Sequence, residues 1–300
     1  MRAYAMIALI GLTATVSAPA PAQHAGHRGR SVLFLVEASA DQLPDRDSRS
    51  SATATAAVVV DKGGRGLRYD LTYHGLERGP PGRIALYNFA RGGVGRTIVI
   101  LCGAGDRACP ARPSARLAGE LAEFSLPGEL LSEFASGRIY LQIDGGDGKP
   151  EIRGQLETNG AMVASRNYIA QLAPTGSQAG GEGTAVISET YLPDGEVAVE
   201  YSLTVAGTGG APESVSLTPQ GPGGAAARFQ KSDRMPTAFL STRDARRAGG
   251  TVRGRYVVKA RDRAQPVAAA MFAAQRVPSV VVRTSRFPRG ELAGALVPVD

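Results

Sequence analysis

Three hundred residues with 43% hydrophobic content are enough for about two ordinary domains with real cores, which excludes a generally disordered chain. Thirty-eight glycines, nineteen prolines and no tryptophan favour many short strands joined by tight turns over long helices. The net charge is +7, carried mostly by scattered arginines with few aromatic residues among them, which speaks against a nucleic-acid site.

The chain opens with Arg2, an apolar run over 5–16 and a small-residue stretch over 17–23. That order predicts a secretory signal peptide over 1–22, cleaved near Ala22. The apolar run is too short to cross a bilayer as a helix, so no transmembrane anchor is expected and the mature protein should be secreted or periplasmic. Residues 23–30 read as a flexible N-terminus whose His24 and His27 are incidental. The only cysteines, Cys102 and Cys109, should close a small loop as a disulfide in an oxidising compartment.

From residue 31 onward the chain reads as strands, and it reads so twice. An apolar opening at 31–39 is followed by alternating segments at 52–60 and 66–76; the series recurs at 168–175, 183–192 and 198–208. Tyr69 aligns with Tyr201, Leu71 with Leu203, Thr72 with Thr204 and Gly75 with Gly207. Each copy then has a proline-led stretch that predicts a short helix, at 125–137 and 264–277, and a strand, at 138–144 and 279–285. Each closes on the same phrase: Glu151, Ile152 and Gly154 in one, Glu291, Leu292 and Gly294 in the other. The expected organisation is a first domain over 31–158, a linker over 159–166 and a second domain over 167–300. The fold class is all-β: two tandem antiparallel sandwich or barrel domains, each with one short helix.

The order of these elements resembles the CHRD module, named after chordin and found also in secreted bacterial proteins. The resemblance is carried by Leu67, Tyr69, Leu71, Gly75 and Leu76, by the glycine-punctuated segment 92–101, and by Glu151-Ile152-Arg153-Gly154-Gln155. It covers nearly all of the first copy. In the divergent second copy it rests on Tyr201, Leu203, Gly207 and the segment 290–294. Members of that family typically carry an H-x-H pair before the glycine-rich segment and a further histidine near the end of the penultimate strand. The corresponding stretches here, 82–90 and 140–148, contain none, nor do 213–221 and 280–288 in the second copy. The resemblance therefore implies a module without that histidine chemistry.

Other chemistry is poorly supported by the residues. The chain has three histidines in all, so a serine triad would have to use His74, and no G-x-S-x-G turn accompanies it. Asp144 and Asp147 in a glycine-rich turn are too few for calcium, and the segment 92–97 lacks the lysine of a phosphate loop. No metal or cofactor is expected. Glu151 and Glu291, at equivalent places, read as fold signatures bonded across strands or to a neighbouring loop. The expected function is a non-catalytic binding or structural module. The competing readings are a secreted hydrolase with paired carboxylates and a degenerate metal-binding sandwich. Arg243, Arg246, Arg247, Arg253 and Arg255, read as an extended loop region, form the candidate surface for an acidic envelope polymer. Another protein, or a second copy of the chain, is the other partner considered.

Overall fold

The computed structural model describes residues 32–44, 49–61, 66–89, 95–105, 107–121, 133–134, 137–158, 165–191, 197–219, 238–240, 250–258 and 278–299. The signal peptide, the N-terminal histidines, residues 159–164 of the linker, the second proline-led stretch and Arg243, Arg246 and Arg247 lie outside the described residues. Of the first proline-led stretch, a helical turn at 133–134 is described.

The first half forms β1 (Val32–Ser39), a 3-10 turn (Ala40–Gln42), β2 (Thr53–Val60), β3 (Leu67–His74), β4 (Arg83–Asn88), β5 (Thr97–Cys102), β6 (Ala115–Leu121), β7 (Ile139–Asp144) and β8 (Pro150–Thr158). The second forms β9 (Ser165–Pro174), β10 (Glu182–Tyr191), β11 (Val197–Ala206), β12 (Ser214–Pro219), β13 (Ala238–Leu240), β14 (Thr251–Val258), β15 (Pro278–Arg283), β16 (Leu292–Ala295) and β17 (Val297–Val299). Every pairing between named strands is antiparallel.

Two sheets result, and no strand is shared between them. The first runs β5-β4-β7-β8-β1-β2-β3-β6 and the second β13-β12-β15-β16-β9-β10-β11-β14, with β17 continuing along β9. Each strand of the first sheet holds the place that the strand eight later holds in the second. Both sheets curl into half-barrels, because alternate residues must converge on one core. In the first half that core takes Phe34, Val36, Leu71, Ile84, Leu141 and Ile152, all buried; the second gathers Leu172, Ile187, Leu203, Val252 and Val280. Burying a side chain of this size contributes roughly 1.5–3 kcal/mol.

Alternation alone would leave the other face of each strand wet. Instead the outer face of β1-β2-β3-β6 packs against the outer face of β9-β10-β11-β14. A small apolar cluster of Leu33, Ala57, Val59 and Val186 forms part of this seam. The rest is polar: Thr55, Thr72, Thr184, Ser202 and Thr204 are all buried there.

The basic stretch differs from the expectation. Arg253 and Arg255 stand on β14, which hydrogen bonds to β11, rather than in a loop. The segment 251–258 has the alternation of a strand, with Val252 wholly buried and Arg253 exposed on the other face. β9 starts at Ser165, inside the stretch 159–166 read as a linker.

Candidate binding surfaces

The repeated closing phrase serves the fold in both halves. Glu151 is fully buried on β8, and its carboxylate accepts from the backbone N–H of Glu77 at 2.5 Å, the N–H of Arg78 at 3.3 Å and the Ser50 hydroxyl at 2.8 Å. Glu291, also fully buried, accepts from the backbone N–H of Gly209 at 2.7 Å and the Thr284 hydroxyl at 2.6 Å. Glu77 and Gly209 each lie two residues past a left-handed glycine, Gly75 at φ 74° and Gly207 at φ 68°. The acid thus ties the loop that leaves the tyrosine strand by accepting its backbone N–H groups. Gly154 and Gly294 complete the phrase. A Cβ on either would collide with the carbonyl oxygen of the neighbouring strand, that of Glu37 or Gln171.

The stretches 82–90 and 140–148 are brought together as the paired strands β4 and β7, beside β8. On their outer face Arg83 pairs with Asp144 at 2.8 Å, and the Gln142 amide donates to the same carboxylate at 2.7 Å. Tyr87 and Tyr140 stack with centroids 5.4 Å apart and planes 13° from parallel, and Phe89 meets Tyr140 edge-on. The Arg153 guanidinium lies 3.4 Å above the Tyr140 ring and 5.0 Å from Phe89. Burial lowers the pKa of Arg153, opposed by Tyr140, and burial raises that of Tyr87, with Asp144 adding and Arg83 opposing. Phe89 is 59% exposed, so the edge of this aromatic and cationic cluster is open to solvent. The sequence singles out Arg153 as part of the closing phrase and Asp144 as a turn acid, and the remaining residues only as places where histidine is missing. Their clustering depends on three strands far apart in the chain, which no spacing signals.

The other predicted site residues are structural. Tyr69 and Tyr201 point into the two cores. Cys102 and Cys109 are joined as a disulfide at the end of β5. Asp147 is a partly exposed turn residue paired with Arg78 at 3.4 Å, whereas Asp144 belongs to the outer-face cluster. Arg253 pairs with Glu37 at 3.1 Å across the seam between the sheets. Among the described residues no group of three or more His, Cys, Asp or Glu is placed to hold a metal ion. No described helix is long and apolar enough to cross a membrane.

In a comparison against family models, the first half of the chain matches the CHRD domain. Residues 33–156 form a CHRD domain. No curated protein and no solved structure matches the chain. The CHRD domain so delimited spans β1 to the body of β8, and therefore includes both Glu151 and the Arg153–Tyr140–Phe89 cluster.

Proposed function

We propose that this chain is an exported, non-catalytic binding module built from a CHRD domain and a divergent second copy of it. The common strand order supports the duplication, and so does the same buried glutamate tying the same loop in each half. A binding role is favoured over acid–base chemistry because Glu151 and Glu291 are each consumed by N–H and hydroxyl donors of their own half.

The observation that carries a binding surface is the outer face of the CHRD domain, where the exposed Phe89 ring stands beside the guanidinium of Arg153. An exposed ring beside a fixed cation suits a partner that offers C–H faces and carboxylates together, as an acidic polysaccharide of the cell envelope does. The basic stretch from Arg243 to Arg255 would add long-range attraction to the same polymer.

The test is capture of acidic polysaccharide by residues 23–300, compared with Phe89→Ala and with a variant carrying serine at 243, 246, 247, 253 and 255. Retention lost in Phe89→Ala supports the outer face as the contact surface. Retention lost only in the arginine variant moves the contact to the basic stretch. Equal retention by all three proteins, or none by any, overturns the polymer-binding reading.

A further inference from the structure

The seam between the halves has twofold character, and this can be read contact by contact. In the ladders, Thr55 stands opposite Thr72 and Thr184 opposite Thr204, so Thr55 corresponds to Thr184 and Thr72 to Thr204. Across the seam Thr55 meets Thr204 at 2.8 Å, and Thr72 meets Thr184 at 2.8 Å. These are one contact seen from its two sides. Thr55 also meets Ser202 at 2.8 Å, and Thr184 meets Asp70, which is the counterpart of Ser202. Thr53 meets Thr251 at 2.6 Å, and their counterparts, Glu182 and the backbone N–H of Arg116, meet at 3.0 Å. A surface on which residue i contacts j while the counterpart of i contacts the counterpart of j is the self-complementary surface of a twofold dimer.

Charge then distinguishes the two halves. Glu37 pairs with Arg253 at 3.1 Å, and Arg112 pairs with Glu182 at 3.0 Å. The ladder positions equivalent to Glu37 and Arg253 are held by Gln171 and Ala118. A seam between two first halves would therefore set Glu37 against Ala118, and one between two second halves would set Gln171 against Arg253. At the Glu37–Arg253 pair, only unlike halves match acid with base.

We infer that the seam is a pairing surface for a second copy of this chain, with the first half of each molecule seated on the second half of the other. The sheets exchange no strand, and only the segment between Thr158 and Ser165 joins them. Every contact of the seam is therefore available in trans, and two exchanged seams close the assembly with no open surface. Exchange competes with pairing inside one chain, so the dimer is favoured by protein concentration and by refolding. The inference does not depend on the polymer-binding reading.

The test uses the full mature chain carrying Thr55→Cys, the same chain carrying Thr204→Cys, and the double variant. Proteins are unfolded in urea at mildly acidic pH, where free thiols leave the native disulfide alone, then refolded over a range of concentrations and oxidised. The double variant is expected to close its bridge within one chain at low concentration. The mixture of single variants is expected to give a covalent product of twice the mass, whose yield rises about tenfold per tenfold concentration while it remains the minor species. A double variant that closes its bridge beside a mixture that gives no such product at any concentration overturns the inference. A double variant that fails to close its bridge removes the seam contact and the inference with it. Light scattering of the unmodified chain over the same series should show the same rise in dimer.

Discussion

Gly119 lies opposite Tyr69 across the β3–β6 ladder, so close that a Cβ at that position would stand 2.5 Å from the tyrosine hydroxyl and 2.8 Å from Cζ. Gly254 stands in the same relation to Tyr201, where a Cβ would be 2.7 Å from Cζ. In each half an edge strand leaves out a side chain so that the core tyrosine can lie across it. Gly119→Ala and Gly254→Ala should each force a buried ring out of place and cost about 1–3 kcal/mol, the usual range for overpacking. Urea unfolding of the two variants checks this, and a loss below the experimental error in both would mean the rings have room to move.

Glu151→Ala should cost more than its removed atoms suggest, because the N–H groups of Glu77 and Arg78 and the Ser50 hydroxyl lose their acceptor together. Hydrogen bonds to a charged group are worth about 1.5–3 kcal/mol each, so a loss of at least ~3 kcal/mol is expected. Glu291→Ala should act likewise on the loop at Gly209. Amide exchange localises the effect: protection should fall first at Glu77 and Arg78 in one variant and at Gly209 in the other.

His74 ends β3 against Gly250 of the other half, and its pKa is lowered by burial, with the Val205 backbone working the other way. A histidine depressed in the folded state is disfavoured there as a cation, while the unfolded chain takes up the proton near the usual value of 6.5. Its contribution is fully present above that pH and is lost as the pH falls from 6.5 through the lowered value. Glu77, held down by the backbone and hydroxyl of Ser51, keeps its contribution above the usual value of 4.5 and loses it only as the pH falls below that. Urea midpoints measured between pH 7.5 and 5 should therefore fall in the natural chain and stay flatter in His74→Gln. Parallel curves would remove His74 as the cause.

The Cys102–Cys109 disulfide closes a loop with a sequence separation of seven. In the chain-entropy picture a loop this short is worth about 2 kcal/mol. Replacing both cysteines by alanine should lower stability by that amount and leave the sheet intact, as far-ultraviolet circular dichroism would report. Collapse of the fold in the alanine variant would give the bridge a larger role.

The recurring phrase was legible because each of its residues has the same fixed task in both halves: a buried acid that accepts a loop N–H and a glycine pressed under a carbonyl. The core strands were legible by alternation. The polar phase of that alternation was misleading, since Thr55, Thr72, Thr184 and Thr204 look like solvent-facing residues and are completely buried. Threonine suits both roles, and nothing within one strand says that another outer face will cover it. The edge strands β6 and β14 were hidden by their glycines and charges, which lower strand propensity in the stretches that must pass under Tyr69 and Tyr201. The outer-face cluster was invisible because Tyr87, Tyr140 and Arg153 come from three strands and meet only after the sheet has formed.

The hydrogen bonding of β1 to β8, and of β9 to β16 and β17, sets a timetable for the chain. In each half the earliest strand must wait, with one edge bare, for the last one to arrive. A half that is still emerging has the strands of its meander but not its closure, and the glutamate that fastens the tyrosine loop is among the final residues delivered. Sheets wired in this way are slow to complete, because distant segments must meet before any of the gain is realised. Each half thus stays pliable while it is incomplete and closes only once its closing phrase is in place.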